Sequence, residues 1–334
     1  MKKGWKITIS IVASLMTAVL LALCIYFCWP WNKKFFDNAV AEFDIPGLDT
    51  EFVPQGFTKV EGQDKYLISG YMDDGSPSRF YLLDENYKLI KYFTLEISGK
   101  SYCGHAGGVA SFNSTLWTSS NDNGGVVYRF LWSYVNDVED GGVVEITDYF
   151  KTNNTADFLF IKNETLYVGE FYKEWKYETE TNHHLTTPSG EVNKALVFGY
   201  KINEKNRYGL MDYLPDVALS VGELVQGIAL TSDGKIITSS SYSIHDSTLS
   251  CYKNVFDEDT PAKFKVSAGH EIPVYFLDGN SLISSEKIPS MSEEIVVEND
   301  KIYVLFESAS KKYKLFNRKK LDKVYSLMVD FLAN

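Results

Sequence analysis

Hydrophobic and polar positions divide this chain into two unequal parts. Residues 7–29 run for 23 positions without a charge, with Lys2, Lys3 and Lys6 on one side and Lys33 and Lys34 on the other. As a helix, such a run spans about 35 Å, enough to cross a hydrocarbon core of about 30 Å. Tyr26, Trp29 and Trp31 gather at its far end, where amphipathic rings favour the headgroup level. The pattern predicts a cytoplasmic tail over residues 1–6, a membrane-spanning signal-anchor over 7–29, a linker over 30–49 and an extracytoplasmic domain over 50–334. Ala39-Val40-Ala41 offers a competing reading as a signal-peptidase site, but it lies beyond two lysines, and the apolar run exceeds an ordinary signal core.

The second part is a succession of short apolar runs with one recurring order. A Gly or an acid followed by an apolar pair occurs at Gln55-Gly56-Phe57, Gly107-Gly108-Val109, Ala156-Asp157-Phe158, Gln226-Gly227-Ile228 and Glu293-Glu294-Ile295. A bulky strand then starts at Tyr66, Leu116, Leu166, Ile236 and Ile302, so the starts lie 50, 50, 70 and 66 residues apart. A third, aromatic-rich run follows each: Phe80-Tyr81-Leu82, Val127-Tyr128-Arg129-Phe130, Val197-Phe198-Gly199-Tyr200, Leu249-Ser250-Cys251-Tyr252 and Tyr313-Lys314-Leu315-Phe316.

A period near fifty with several strands per copy predicts an all-β fold, a β-propeller of five visible blades. A degenerate sixth blade within the longer intervals stays open. One blade cannot bury both of its faces, whereas blades round an axis bury them against their neighbours. Small residues belong on inner strands, which crowd the axis. Residues 173–193 and 254–270 read as polar surface loops, and residues 41–49 as a segment that pairs with the last blade to close the ring.

Composition narrows the partners. The net charge is -11, and five of the 33 Lys and Arg fall in residues 1–34, where there is no acid, so the domain itself is more acidic than the total. Such a surface repels phosphate polymers and anionic lipid alike, which excludes nucleic acid as a partner and favours neutral or cationic ligands. Two of the four cysteines, Cys24 and Cys28, lie in the apolar run, and Cys103 with Cys251 cannot make a disulfide framework. Adjacent His183 and His184 are poor joint chelators, and Gly99-Lys100-Ser101 lacks the earlier Gly of a phosphate loop.

The fourth copy, Gln226-Gly227-Ile228-Ala229-Leu230 followed by Ser232-Asp233-Gly234-Lys235-Ile236-Ile237, resembles the strand-turn-strand signature of the NHL, YncE-like and senescence-marker (gluconolactonase-like) propeller superfamily. The resemblance covers about twenty residues clearly and implies the fold first. Calcium-dependent lactonases of that superfamily gather Glu, Asn and Asp at the axis. The corresponding positions here are Gln55, His105, Asp157, Gln226 and Glu293 or Glu294, and Gln226-Gly227 replaces the Asn-Gly of the enzymes.

Second strands end at Tyr71, Asn121, Glu170, Ser241 and Glu307. If these ends converge, Asp157, Glu170, Glu294 and Glu307 form an acidic set suited to Ca2+ rather than zinc. The alternative is that the acids diverge into solvent or bond to backbone amides of adjacent strands. Gln55, His105, Asp157, Gln226 and Glu293 are the axial ligand-binding candidates. With no complete catalytic constellation present, the favoured function is a membrane-anchored binding module for a small molecule, polysaccharide or protein. The alternative is a calcium-dependent lactonase or esterase.

Overall fold

The structure is a computed structural model that describes residues 2–121, 124–258, 261–266 and 269–332. A helix, Lys2–Cys28, comes first; its Ser10–Phe27 window is long and apolar enough to cross a membrane and is not buried by the rest of the chain. Among the described residues, strands, turns and short helical pieces follow.

Among the described residues the strands form five blades round an axis. From the inside outwards, blade 1 is Phe52–Val60, Lys65–Met72, Arg79–Leu83 and Leu89–Ile97, and blade 2 is Val109–Phe112, Thr115–Ser120, Val126–Leu131 and Asp148–Lys151. Blade 3 is Phe158–Lys162, Thr165–Gly169, Ala195–Lys201 and Val217–Val221, and blade 4 is Val225–Leu230, Ile236–Ser240, Ser247–Tyr252 and Leu282–Ile288. Blade 5 takes Ser292–Glu298, Lys301–Phe306 and Lys323–Met328 from the end of the chain and its outer strand, Val40–Asp44, from the beginning. That last pairing is antiparallel, with Val40 opposite Ser326 and Asp44 opposite Lys323, and it closes the ring.

Middle strands are buried on both faces because a neighbouring blade covers each side; all six residues of Thr115–Ser120 are buried. The buried apolar side chains accordingly fall into clusters at the blade junctions. Leu67, Phe80, Phe93, Leu116 and Phe130 fill the space between blades 1 and 2, whereas Ile68, Tyr81, Tyr303, Leu305 and Val324 fill that between blades 5 and 1. A strand's alternation thus serves two junctions at once: Leu67 faces one and Ile68 the other.

Two sequence expectations need correction, and one open alternative closes. Residues 30–49 are not a free linker: Lys33–Asn38 is a short helix whose Phe35 is fully buried between blades 4 and 5, and Phe43 and Ile45 are buried beside blade 1. The five-blade expectation holds, and among the described residues the long intervals contain no sixth blade. Residues 262–276 instead add Glu271–Phe276, parallel, and Ala262–Lys265, antiparallel, to the outside of blade 3, because Phe264, Ile272 and Val274 are apolar enough to bury there. The third strand of blade 5 is Lys323–Met328, not the run at Tyr313, which lies in a string of turns.

Candidate functional site

Inner strands meet at the axis at backbone distance, and three glycines allow it. A Cβ on Gly108 would lie 2.4 Å from the Leu159 nitrogen, one on Gly56 2.9 Å from the Val109 nitrogen, and one on Gly227 2.8 Å from Glu294 Cα. Each glycine marks where one blade's inner strand backs onto the next.

Bulges decide which side chains reach the axis. The register of blade 1 skips a residue at Gln55, that of blade 4 at Gln226, and that of blade 5 at Glu293-Glu294. An extra residue in one strand re-aims the side chain it carries. Ala106, Ala156, Leu224 and Met291, each within two residues of an axial candidate, adopt positive φ of 51°, 51°, 66° and 63°. That conformation is uncommon for side chains with a Cβ and marks tight turns at the start of the inner strands.

The result is a cavity of about 440 Å³ at one mouth of the axis, and its lining includes Gln55, His105, Asp157, Gln226, Glu293 and Glu307. Gln55 Nε2 donates to Glu307 Oε2 at 3.0 Å, and Gln226 Nε2 donates to Glu293 Oε1 at 3.2 Å. The Glu293 and Glu307 carboxyls are hydrogen-bonded to one another. Burial, followed by the charge of Glu307, holds Glu293 well above the usual carboxyl range, and burial pushes Glu307 up to about 7. Two carboxyls in contact in a poorly solvated place cannot both ionise cheaply, so they share a proton. Asp157 is pushed up to about 6, chiefly by burial, although it accepts hydrogen bonds from Phe171 N–H at 2.8 Å, from Asn121 Nδ2 at 3.2 Å and from the Thr155 hydroxyl.

The upper wall is aromatic. Tyr71 stacks on His105 with centroids 4.7 Å apart, its hydroxyl lies 3.3 Å from that of Tyr313, and Phe171 packs near Tyr242. The nearby ammonium groups are engaged at this rim: Lys312 donates to the Tyr71 hydroxyl and pairs with Asp73 at 2.8 Å, and Lys176 lies over Tyr177 and Tyr242. Sequence reasoning missed this wall. The signal was there, since Phe171 and Tyr242 each follow directly on a second-strand end, Glu170 and Ser241.

The acidic set Asp157, Glu170, Glu294 and Glu307 does not assemble. Glu170 turns into a different pocket beside Asn154 and Phe198, where it lies 2.9 Å from His183 Nδ1 and accepts the Leu196 N–H at 2.8 Å. His184 contacts Thr179 instead, so the two histidines do diverge. Glu294 points down the channel, away from its neighbour Glu293. Its Oε2 accepts Phe57 N–H at 2.6 Å and Val109 N–H at 3.4 Å, with Leu159 N–H as a further donor, and it borders a second cavity of about 610 Å³ at the opposite mouth. Two of the four carboxyls are thus committed to backbone amides, and among the described residues no group of three or more His, Cys, Asp or Glu is arranged to hold a metal. The residues present do not fit the calcium site of the lactonases.

No protein-family model matches this sequence, and neither does any curated protein. Solved structures similar to it include glutaminyl cyclase from Myxococcus xanthus, at 12% identity over 87% of this chain and 97% of that one, TM-score 0.44. Another is the PQQ-bound aldose sugar dehydrogenase from Streptomyces coelicolor, at 12% identity with the same coverage and a TM-score of 0.48. A third is RS223 β-xylosidase, at 11% identity over 87% of this chain and 94% of that one, TM-score 0.44. The fold assignment stands on the strand order and the ring closure of this chain.

Proposed function

We propose that this chain is a membrane-tethered binding propeller whose axial mouth takes a small polar ligand carrying an ammonium or other hydrogen-bond-donor group. The observation that carries the reading is the convergence, in one cavity, of polar groups from all five blades beneath an aromatic wall. A space of about 440 Å³ suits a small molecule rather than a protein loop. The carboxyls on its floor favour a donor or a cation, while Lys312 lies over the Tyr71 and Tyr313 rings and Lys176 over that of Tyr242, so a ligand ammonium competes with these side chains for the aromatic wall. Lys2, Lys3 and Lys6 ahead of the uncharged run support a cytoplasmic N-terminus and an extracytoplasmic propeller.

The lactonase alternative loses support with its metal set, because Glu170 and Glu294 are used elsewhere. The test is a thermal-shift screen of the full chain in detergent against small amines, sugars and zwitterions, with Glu307→Gln and Tyr71→Ala beside it. A ligand at a hundred times its Kd stabilises the folded state by about 2.7 kcal/mol. That shift should disappear in both variants, and a shift that survives in both places the ligand elsewhere. Turnover of lactones that a chelator abolishes would restore the hydrolase reading.

A further inference from the structure

Residues 311–320 read Lys-Lys-Tyr-Lys-Leu-Phe-Asn-Arg-Lys-Lys: six basic residues and no acid, in a chain whose net charge is -11. They connect Lys301–Phe306 to Lys323–Met328 at the face of blade 5 that holds the axial mouth. The segment is not loose. Asn317 is fully buried, accepting from the Ser290 hydroxyl at 2.9 Å, and Lys314 N–H donates to Ser310 C=O at 2.9 Å. From this fixed turn Leu315 and Phe316 project outwards, 72% and 68% exposed.

The end of the apolar helix lies against the same turn. The Tyr26 hydroxyl donates to the Phe316 carbonyl at 3.3 Å, the Arg318 guanidinium sits 4.6 Å over the Trp31 ring, and Lys319 lies over Phe36. Tyr26 and Trp31 are the residues that mark headgroup level at the end of a spanning helix. A turn that touches them shares their depth. Lys311 and Lys312 are paired with Glu51 and Asp73, whereas among the described residues Lys314, Lys319 and Lys320 have no acidic partner.

Resting on the reading of the helix as an anchor, we infer that residues 311–320 are a second membrane contact. Leu315 and Phe316 enter the headgroup layer of the bilayer that the helix crosses, and Lys314, Lys319 and Lys320 pair with the phosphates of anionic lipids. Apolar side chains flanked by lysines are the pattern of interfacial segments, and the described residues leave this Leu-Phe tip exposed. Because Tyr313 and Phe316 also line the axial cavity, its mouth opens at the lipid surface.

The test places p-benzoylphenylalanine at Phe316, and separately at Trp29, in the full chain reconstituted in nanodiscs of equimolar phosphatidylcholine and phosphatidylglycerol. Irradiation should give lipid adducts at both positions. Adducts at Trp29 alone overturn the second contact and leave the anchor standing; adducts at neither remove the anchor as well. A protein adduct at Phe316 assigns the tip to a second copy of the chain instead. Combining Lys314→Glu, Lys319→Glu and Lys320→Glu should lower the Phe316 adduct severalfold with phosphatidylglycerol present and leave it unchanged in phosphatidylcholine alone. An equal yield in both lipids rules out pairing with anionic headgroups.

Discussion

Glu294 accepts the backbone N–H of Phe57 at 2.6 Å, a bond from the inner strand of blade 5 to that of blade 1. The same carboxyl takes the amides of Val109 and Leu159, and its Cα backs onto Gly227, so one side chain ties the inner strands together. Removing it strands several buried donors, each costing about 1–3 kcal/mol. Glu294→Ala should therefore lose about 2 kcal/mol or more in denaturant unfolding, and Glu294→Gln, which keeps an acceptor, should lose less than half of that. Equal losses would mean that packing, not the amide bonds, holds this point.

The Glu293–Glu307 pair makes stability depend on pH in a defined direction. Both carboxyls are raised by burial, so the folded state holds protons more tightly than the unfolded chain. The Glu307 contribution is fully present below pH 4.5 and is lost as pH rises through about 7, and that of Glu293, held well above the usual range, acts in the same direction. Asp157, raised to about 6, acts in the same direction between 3.8 and 6. The thermal midpoint should fall across this window, by the equivalent of about 3 kcal/mol at most for Glu307. Glu307→Gln should flatten the profile, as differential scanning calorimetry at several pH values will show.

Glycines at the axis and on the outside should respond oppositely to a methyl group. Gly108→Ala drives a Cβ to 2.4 Å from the Leu159 nitrogen, and overpacking of this kind costs about 1–3 kcal/mol. Gly222 has open space and needs no positive φ, so Gly222→Ala should be neutral or stabilising by about 0.4–1 kcal/mol. Chemical denaturation of both variants distinguishes a crowded axis from a general intolerance of alanine.

The start of the folded unit can be measured by truncation. A chain beginning at Lys33 keeps Phe35 and the whole closing strand, whereas one beginning at Glu42 loses both Phe35 and the Val40–Ser326 pairing. Loss of a buried phenylalanine side chain from a core costs about 3–5 kcal/mol. The shorter chain should unfold at markedly lower denaturant; equal stability would return residues 33–41 to the role of a linker.

Much of the ring was legible because its signals are local: a small residue where inner strands touch, then a bulky strand, at intervals of fifty or more. The acidic set was not, because a bulge inserts one residue, and a one-residue shift turns a side chain to the other side. Glu293 and Glu294 are adjacent in sequence yet serve opposite ends of the channel, and no pattern of residue types distinguishes them. Glu170 was lost differently, to His183, a partner thirteen residues away in a polar stretch. The run at Tyr313 mimicked a strand because its tyrosine, leucine and phenylalanine have the right composition. Their spacing serves a turn pinned by Asn317 and a tip that faces outwards.

The closing strand also defines a load path. Any pull between the domain and the apolar helix is transmitted first through Lys33–Asn38 and then along Val40–Asp44. Because ladder bonds of an antiparallel pair stand across the strand direction, such a pull shears the Val40–Ser326 to Asp44–Lys323 pairs together rather than peeling them one by one. Ring integrity therefore depends on the load that these five residues bear: force that slides this strand free opens the seam of the propeller, which stays covalently joined to the helix through residues 45–51.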